Sequence, residues 1–219
     1  MIFRILSTTL PTALIVGVLS ACAEGAVISH TDSVPLAITD WSGSISVPKF
    51  DSSLGTLNSV TCKLSGQVEG SAKFESLDSD PATVTMNLSA IMRLNRPDST
   101  TLVITIPIAD TSDNVDEFDG TVDYAGGSGR TFSGLSASLT ESATYSSAAD
   151  LALFTGVGSI TLPVMADGAS TGSGAGNLVL QFATSASAGV EVIYNYTVPE
   201  PGTLALLSLG TLGMIRRRR

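Results

Sequence analysis

Histidine occurs once in these 219 residues, at His30, and cysteine twice, at Cys22 and Cys62. Without a second histidine there is no histidine-based zinc site and no nucleophile–histidine–acid arrangement. Basic side chains are scarce as well. Between Glu24 and Val198 they are Lys49, Lys63, Lys73, Arg93, Arg96 and Arg130, six against 19 acidic groups, for a net charge of −13. Phosphate recognition needs clustered lysine and arginine, so nucleic-acid binding is excluded; a charge of this sign suits an extracellular chain in the company of divalent cations. No glycine-rich loop follows a strand and opens a helix. The stretch GASTGSGAGN stands between strands and reads as a flexible connection. No pair of carboxylates is singled out for glycoside hydrolysis. The expectation is a chain that is not an enzyme and needs no cofactor.

What the chain does have is concentrated at its ends. It closes on VPEPGTLALLSLGTLGMIRRRR. The run 202–215 carries no charge, and its leucines surround a helix instead of forming one stripe, which suits lipid. As a helix it would reach about 21 Å, short of the roughly 30 Å hydrocarbon core. Arg216, Arg217, Arg218 and Arg219 can extend it by reaching to the headgroups, and as a positive cluster they resist translocation. Pro199, Glu200 and Pro201 then fall on the far side. Each proline biases its predecessor to extended backbone, the shape a processing enzyme can grip. The Pro-Glu-Pro tripeptide, apolar helix and terminal arginines together resemble the PEP-CTERM sorting signal of Gram-negative bacteria. That resemblance implies a membrane exosortase that reads the tail, with export to the cell envelope or extracellular surface.

The other end agrees. MIFRILSTTLPTALIVGVLSACAEGA has Arg4, an apolar core near 10–19, and then small residues, the order of a secretory signal. Ala21-Cys22-Ala23 fits signal peptidase, with a cut after Ala23. Leu19-Ser20-Ala21-Cys22 also resembles a lipobox, in which Cys22 would be lipidated. Because the tail already supplies membrane retention, the ordinary cut is favoured. The expected organisation is a signal peptide over 1–23, a β-sandwich domain over 24–198, and a sorting signal over 199–219 with a transmembrane helix at 202–215. Cys62 then has no mature partner. It alternates with Val60 and Leu64 and reads as a buried, inert thiol.

Between the signals the texture is Ser, Thr, Val, Ala and Gly in alternation. In TVTMNLSAIMRL, Val84, Met86, Leu88, Ala90, Met92 and Leu94 share one side, which is a half-buried strand. From Val60 to Phe74 one parity also holds without a slip, so a single long strand bending at Gly66 and Gly70 is favoured over a tight turn at Ser65-Gly66. It is expected to hairpin through ESLDSDP onto 82–95, with Cys62, Leu64, Val84, Met86 and Leu88 buried. Further strands are expected at 42–47, 101–107, 131–144, 156–166, 177–184 and 190–198, with one helical turn in SAADLALF. Many strands and almost no helix argue an all-β, antiparallel β-sandwich.

The body carries a second resemblance. SVPKFDSSLGTLNSVTCKLSGQVEGSAKFES, FDGTVDYAGGSGRTFSGL and GASTGSGAGNLVLQF resemble the choice-of-anchor E domain over about 26–196. The resemblance implies surface display through interchangeable anchoring tails and supplies no catalytic residues. One acidic concentration remains, DTSDNVDEFDGTVD, with Asp110, Asp113, Asp116, Glu117 and Asp119 as candidate Ca²⁺ ligands. An EF-hand is excluded because Val115 stands where glycine is required. A solvated acidic loop is the plainer reading. Trp41 alternates with Ile45 and Val47 and reads as a packing residue, and His30 reads as exposed near a mobile terminus. Expected partners are signal peptidase, the exosortase, the membrane and extracellular polysaccharide.

Overall fold

The computed structural model of the chain describes residues 24–199, and Gly25–Val198 forms one compact unit. The first strands are β1 (Glu24–Ile38), β2 (Trp41–Pro48), β3 (Thr56–Ser76), β4 (Ala82–Asn95) and β5 (Thr101–Thr105). After them come β6 (Ile108–Val115), β7 (Gly129–Tyr145), helix α1 (Ala148–Phe154), β8 (Ser159–Gly168), β9 (Thr171–Ser173) and β10 (Leu178–Val198). Among the described residues no helix is long and apolar enough to cross a membrane, and the segment 202–215 lies outside them.

The strands form two sheets. One runs β1–β10–β3–β7, and the other runs β2–β8–β4–β5 with β6 and β9 also paired to β4. Register shows that β5 and β6 are one line along a single edge of β4. Met92 faces Thr105 and Ser89 faces Ile108, so the count is unbroken across Pro107, which has no N–H to give the ladder. β8 and β9 form a second such line on the other edge, with Ala90 facing Gly168 and Asn87 facing Thr171. In the gap between β8 and β9 the Ser89 amide donates to Ser170 Oγ at 3.1 Å, so a side chain replaces the missing ladder bond. Four strands thus lie over four, in a sandwich.

The alternation of β3 and β4 decides what fills that sandwich. Cys62, Leu64, Val84, Met86 and Leu88 are all fully buried, as expected. The pairing is not as expected. β3 lies between β10 and β7, while β4 belongs to the opposite sheet, so the two meet face to face and the residues after Ser76 cross between layers. Parity reports which side of a strand is apolar, and two strands facing each other across a core show the same signal as two strands side by side.

The expected single strand through Ser65-Gly66 is present, and the glycines along it mark close approaches. A Cβ on Gly66 would lie 2.7 Å from Met92 Sδ and 2.8 Å from Thr105 Cγ2, so this position gives its space to the facing sheet. The Gly66→Ala variant is expected to lose about 1–3 kcal/mol through overpacking, with part recovered in a Gly66→Ala/Met92→Val double variant; denaturant melts would measure both. The register with β7 shifts at Gly70, the second of the two expected glycines. Gly70 pairs with Leu135 and Ser71 with Ser133, leaving Gly134 as the extra residue of β7 at φ 70°, a bulge that glycine alone enters without strain.

Three other expectations change. The segments 177–184 and 190–198 are one strand, β10, because Ala186 and Ala188 between them are buried opposite Val68 and Gly66. Residues 110–115 of the acidic stretch belong to β6 on the β4 edge, and 171–173 of the glycine-rich connection form β9. His30 lies in β1, half-buried, its ring 5.8 Å from that of Tyr194. The Thr39 amide donates to Thr184 O, so residue numbers rise along β1 as they fall along β10, and the two ends of Gly25–Val198 leave the sandwich side by side.

Candidate functional site

The end of β10 is where the folded body meets the sorting tail, and its side chains explain why it is held. Tyr194 is fully buried, donates its hydroxyl to Pro48 O at 2.8 Å, and has ring neighbours Phe50 at 5.9 Å and Phe154 at 6.5 Å. α1 brings Phe154 there; its first turn is capped by Ser147 Oγ, which accepts from the Asp150 amide. Burial pushes the Tyr194 hydroxyl above the usual phenol range. Tyr196 rests on Phe50 at 5.0 Å. An aromatic cluster of this kind anchors the strand firmly.

Beyond the cluster the ladder slips. Asn195 pairs with Ser59 but Tyr196 pairs with Leu57, which leaves Asn58 of β3 as a bulge residue. Asn58 Nδ2 donates to Thr197 Oγ1 at 2.9 Å, and Thr197 Oγ1 lies 3.2 Å from Asn58 Oδ1 and 3.5 Å from Thr56 O. A Cβ on Gly55 would stand 2.1 Å from the Thr197 carbonyl oxygen, and Gly55 has φ 149°, so only glycine permits this approach. Val198 ends β10, and Pro199 follows it directly, exposed. Glu200, Pro201 and Arg216–Arg219 lie outside the described residues, as does Cys22.

The acidic candidates are spread apart. Asp110 and Asp113 are three residues apart on β6 and so point to opposite sides of it. Asp110 is exposed opposite Asn87, while Asp113, opposite Val84, accepts from Arg130 Nε at 2.7 Å. Asp116, Glu117 and Asp119 are exposed, and Asp119 Oδ1 accepts from the Thr121 amide. Among the described residues no group of three or more His, Cys, Asp or Glu side chains is gathered as a metal site.

One carboxylate that the sequence does not flag is central to this end of the sandwich. Glu75 stands at an outward position of β3 yet is fully buried, because residues 124–128 fold over it. Its Oε2 accepts from the Tyr124 amide at 2.7 Å and its Oε1 from Ser128 Oγ at 2.5 Å. Gly129 leaves the room: a Cβ there would lie 2.3 Å from Glu75 Oε2. A polar residue at an outward parity carries no signal that a distant loop will cover it.

Cys62 is buried, and burial pushes its thiol up to about 12, with Arg96 opposing weakly. At neutral pH such a thiol has almost no thiolate and is inert. Trp41 packs against the core and donates Nε1–H to Ala186 O at 3.1 Å.

Four aspartates, Asp51, Asp98, Asp113 and Asp150, are held low by their partners, and in two of them an arginine hydrogen bond takes part. The Arg130 hydrogen bond, helped by the Asn114 amide, holds Asp113 below the ordinary carboxylate range. The Ser147 hydroxyl does so first for Asp150, followed by Arg96. A depressed folded-state pKa contributes stability that is present above the unfolded pKa and lost as pH falls through the folded one. The melting temperature should therefore drop as pH falls below about 4, the unfolded aspartate value. Asp113→Asn and Asp150→Asn should each flatten that acid limb while lowering stability at pH 7.

Comparison with known proteins adds one firm finding. The sequence model described as the PEP-CTERM protein-sorting motif matches residues 197–219. This motif implies export, exosortase processing and a location at the cell envelope or surface. No curated protein matches the chain. Among solved structures, the chain is similar to the VP2 subviral particle of infectious bursal disease virus at 13% identity and a TM-score of 0.22, covering 80% of this chain and 37% of that one. The structure of the Gx strain of the same virus gives 11% identity, a TM-score of 0.16, and coverage of 90% and 48%. The chain thus spans less than half the length of either viral protein, and scores this low carry no inference about function.

Proposed function

We propose that this is a non-enzymatic, exported surface or extracellular-matrix protein whose β-sandwich is delivered by its tail. The observation that carries the proposal is the sorting motif over 197–219 joined without a spacer to the last strand of the folded body. In this reading signal peptidase cuts after Ala23, and the tail holds the precursor in the membrane of a Gram-negative-type cell. An exosortase then reads Pro199-Glu200-Pro201, and the body passes to the surface or the polysaccharide matrix. The side-by-side exit of the ends of Gly25–Val198 supports it, since both targeting segments then leave from one end of the body. The body acts as a choice-of-anchor E-like display domain. Intact mass of the mature protein from its native host tests both processing events at once. A chain beginning at Glu24 and lacking Arg216–Arg219 is expected. A mature N-terminus at lipidated Cys22 would replace the first step with lipoprotein processing, and retention of Arg219 would overturn the sorting step.

A Ca²⁺- or glycan-binding role for 110–123 is the other reading, and the opposed directions of Asp110 and Asp113 do not favour it. Melts in excess Ca²⁺ and in chelator should share one midpoint. A bound ion at a hundred times its Kd would add about 2.7 kcal/mol, a visible shift.

A further inference from the structure

We propose that the end of β10 is a clasp that must open before the tail is cut, so that Gly55 and Asn58 act as positioning residues setting the rate of processing. The proposal rests on the exosortase reading of the tail. Its starting point is an overlap: the matched sorting motif begins at Thr197, and Thr197 is still a strand residue, paired with Thr56. The sorting signal therefore starts inside the folded sandwich.

A processing enzyme takes its substrate as extended backbone whose N–H and C=O groups are free to pair with the cleft. Each backbone group has one ladder to give, so Thr197 cannot serve β3 and an enzyme together. Two features hold it on β3. The Thr197 carbonyl sits in the space that Gly55 leaves by having no side chain, and Asn58 reaches across the bulge to the Thr197 hydroxyl. The bulge at Asn195/Tyr196 also marks where opening stops. Before it, Tyr194 is locked in the aromatic cluster; after it, half-buried Tyr196 keeps its ring contact with Phe50, and only Thr197 and the exposed Val198 follow. Local opening of such a short terminal piece is the cheapest motion a sheet offers, and cleavage of a closed site follows the open population when closing is fast. Pro199 adjoins Val198, so no spacer relieves the constraint.

The test compares conversion of full-length precursor to mature mass in the native host. Four forms are needed: wild type, Asn58→Ala, a chain with about six Gly/Ser residues inserted between Tyr196 and Thr197 so that the matched motif stays whole, and the two changes combined. Asn58→Ala should be processed about threefold to tenfold faster, the factor for one modest hydrogen bond. The insertion should be at least as fast, and adding Asn58→Ala to it should change nothing, because the tail is then clear of the sheet. Hydrogen exchange of detergent-held precursor supplies a readout independent of cleavage. Amides of Tyr196–Val198 should exchange faster in Asn58→Ala by the same factor, with the centre of β10 unchanged. Equal processing rates in all four forms, with wild type cut, would overturn the clasp and leave the sorting reading intact. An uncut wild-type tail would overturn the sorting reading and the clasp with it.

Discussion

Precursor that is exported but never matured is the expected result of Glu200→Ala. In the exosortase reading Glu200, set between two prolines, is the one charge between Glu191 and Arg216 that a recognition pocket can grasp. Removing one partner of a desolvated charge pair costs about 2–5 kcal/mol, so processing should fall by about thirtyfold or more. The uncut chain should keep Arg216–Arg219 and remain with the membrane fraction. Deleting those four arginines should fail differently. Without the positive block nothing resists translocation of 202–215, and precursor should be released instead of retained. Processing of Glu200→Ala at the wild-type rate would show that the tail is a plain anchor.

The largest stability effect is expected at Glu75. Glu75→Leu removes the only acceptor that the structure gives the Tyr124 amide and the partner of the Ser128 hydroxyl, in a place with no solvent to replace it. Each buried donor left unpaired costs about 1–3 kcal/mol, so a total loss of about 3 kcal/mol is reasonable. For a body of this size that is a fall of about 6–12 °C in melting temperature. Glu75→Gln keeps one acceptor oxygen and should lose clearly less. Exchange at amides 119–129 should rise in Glu75→Leu with little change around Tyr194, because the carboxylate holds one loop and not the core. Equal stability of Glu75→Leu and wild type would mean that solvent reaches this site.

Position 75 also shows how far a sequence can be read. The alternation from Val60 to Phe74 identifies the inward side chains correctly, and by the same rule Glu75 should face water. It does as far as its own strand is concerned; a loop fifty residues away then covers it. Asp110 and Asp113 fail for a related reason. Asp and Asn are poor strand residues, so 108–115 looks like a loop, yet the free edge of β4 supplies a ladder that outweighs that preference. The small residues 185–189 likewise look like a break in β10, and become strand because the ladder to β3 continues through them, with Ala186 and Ala188 buried opposite Val68 and Gly66.

The sequence by itself determined the things that local chemistry can write: a sorting tail at the C-terminus, an all-β body, one short helix, and the apolar sides of β3 and β4. A period of two is a property of the strand's own backbone, and hydropathy at a terminus needs no partner to be legible. Tertiary structure decided which strands are neighbours, placing β3 and β4 on opposite sides of the core instead of side by side. It also decided that Glu75 is buried and that Thr197 belongs to a sheet as well as to the sorting signal. Those outcomes depend on contacts between residues fifty to 140 positions apart, whose closure is set by the fit of whole faces, and no short stretch of chain encodes that fit.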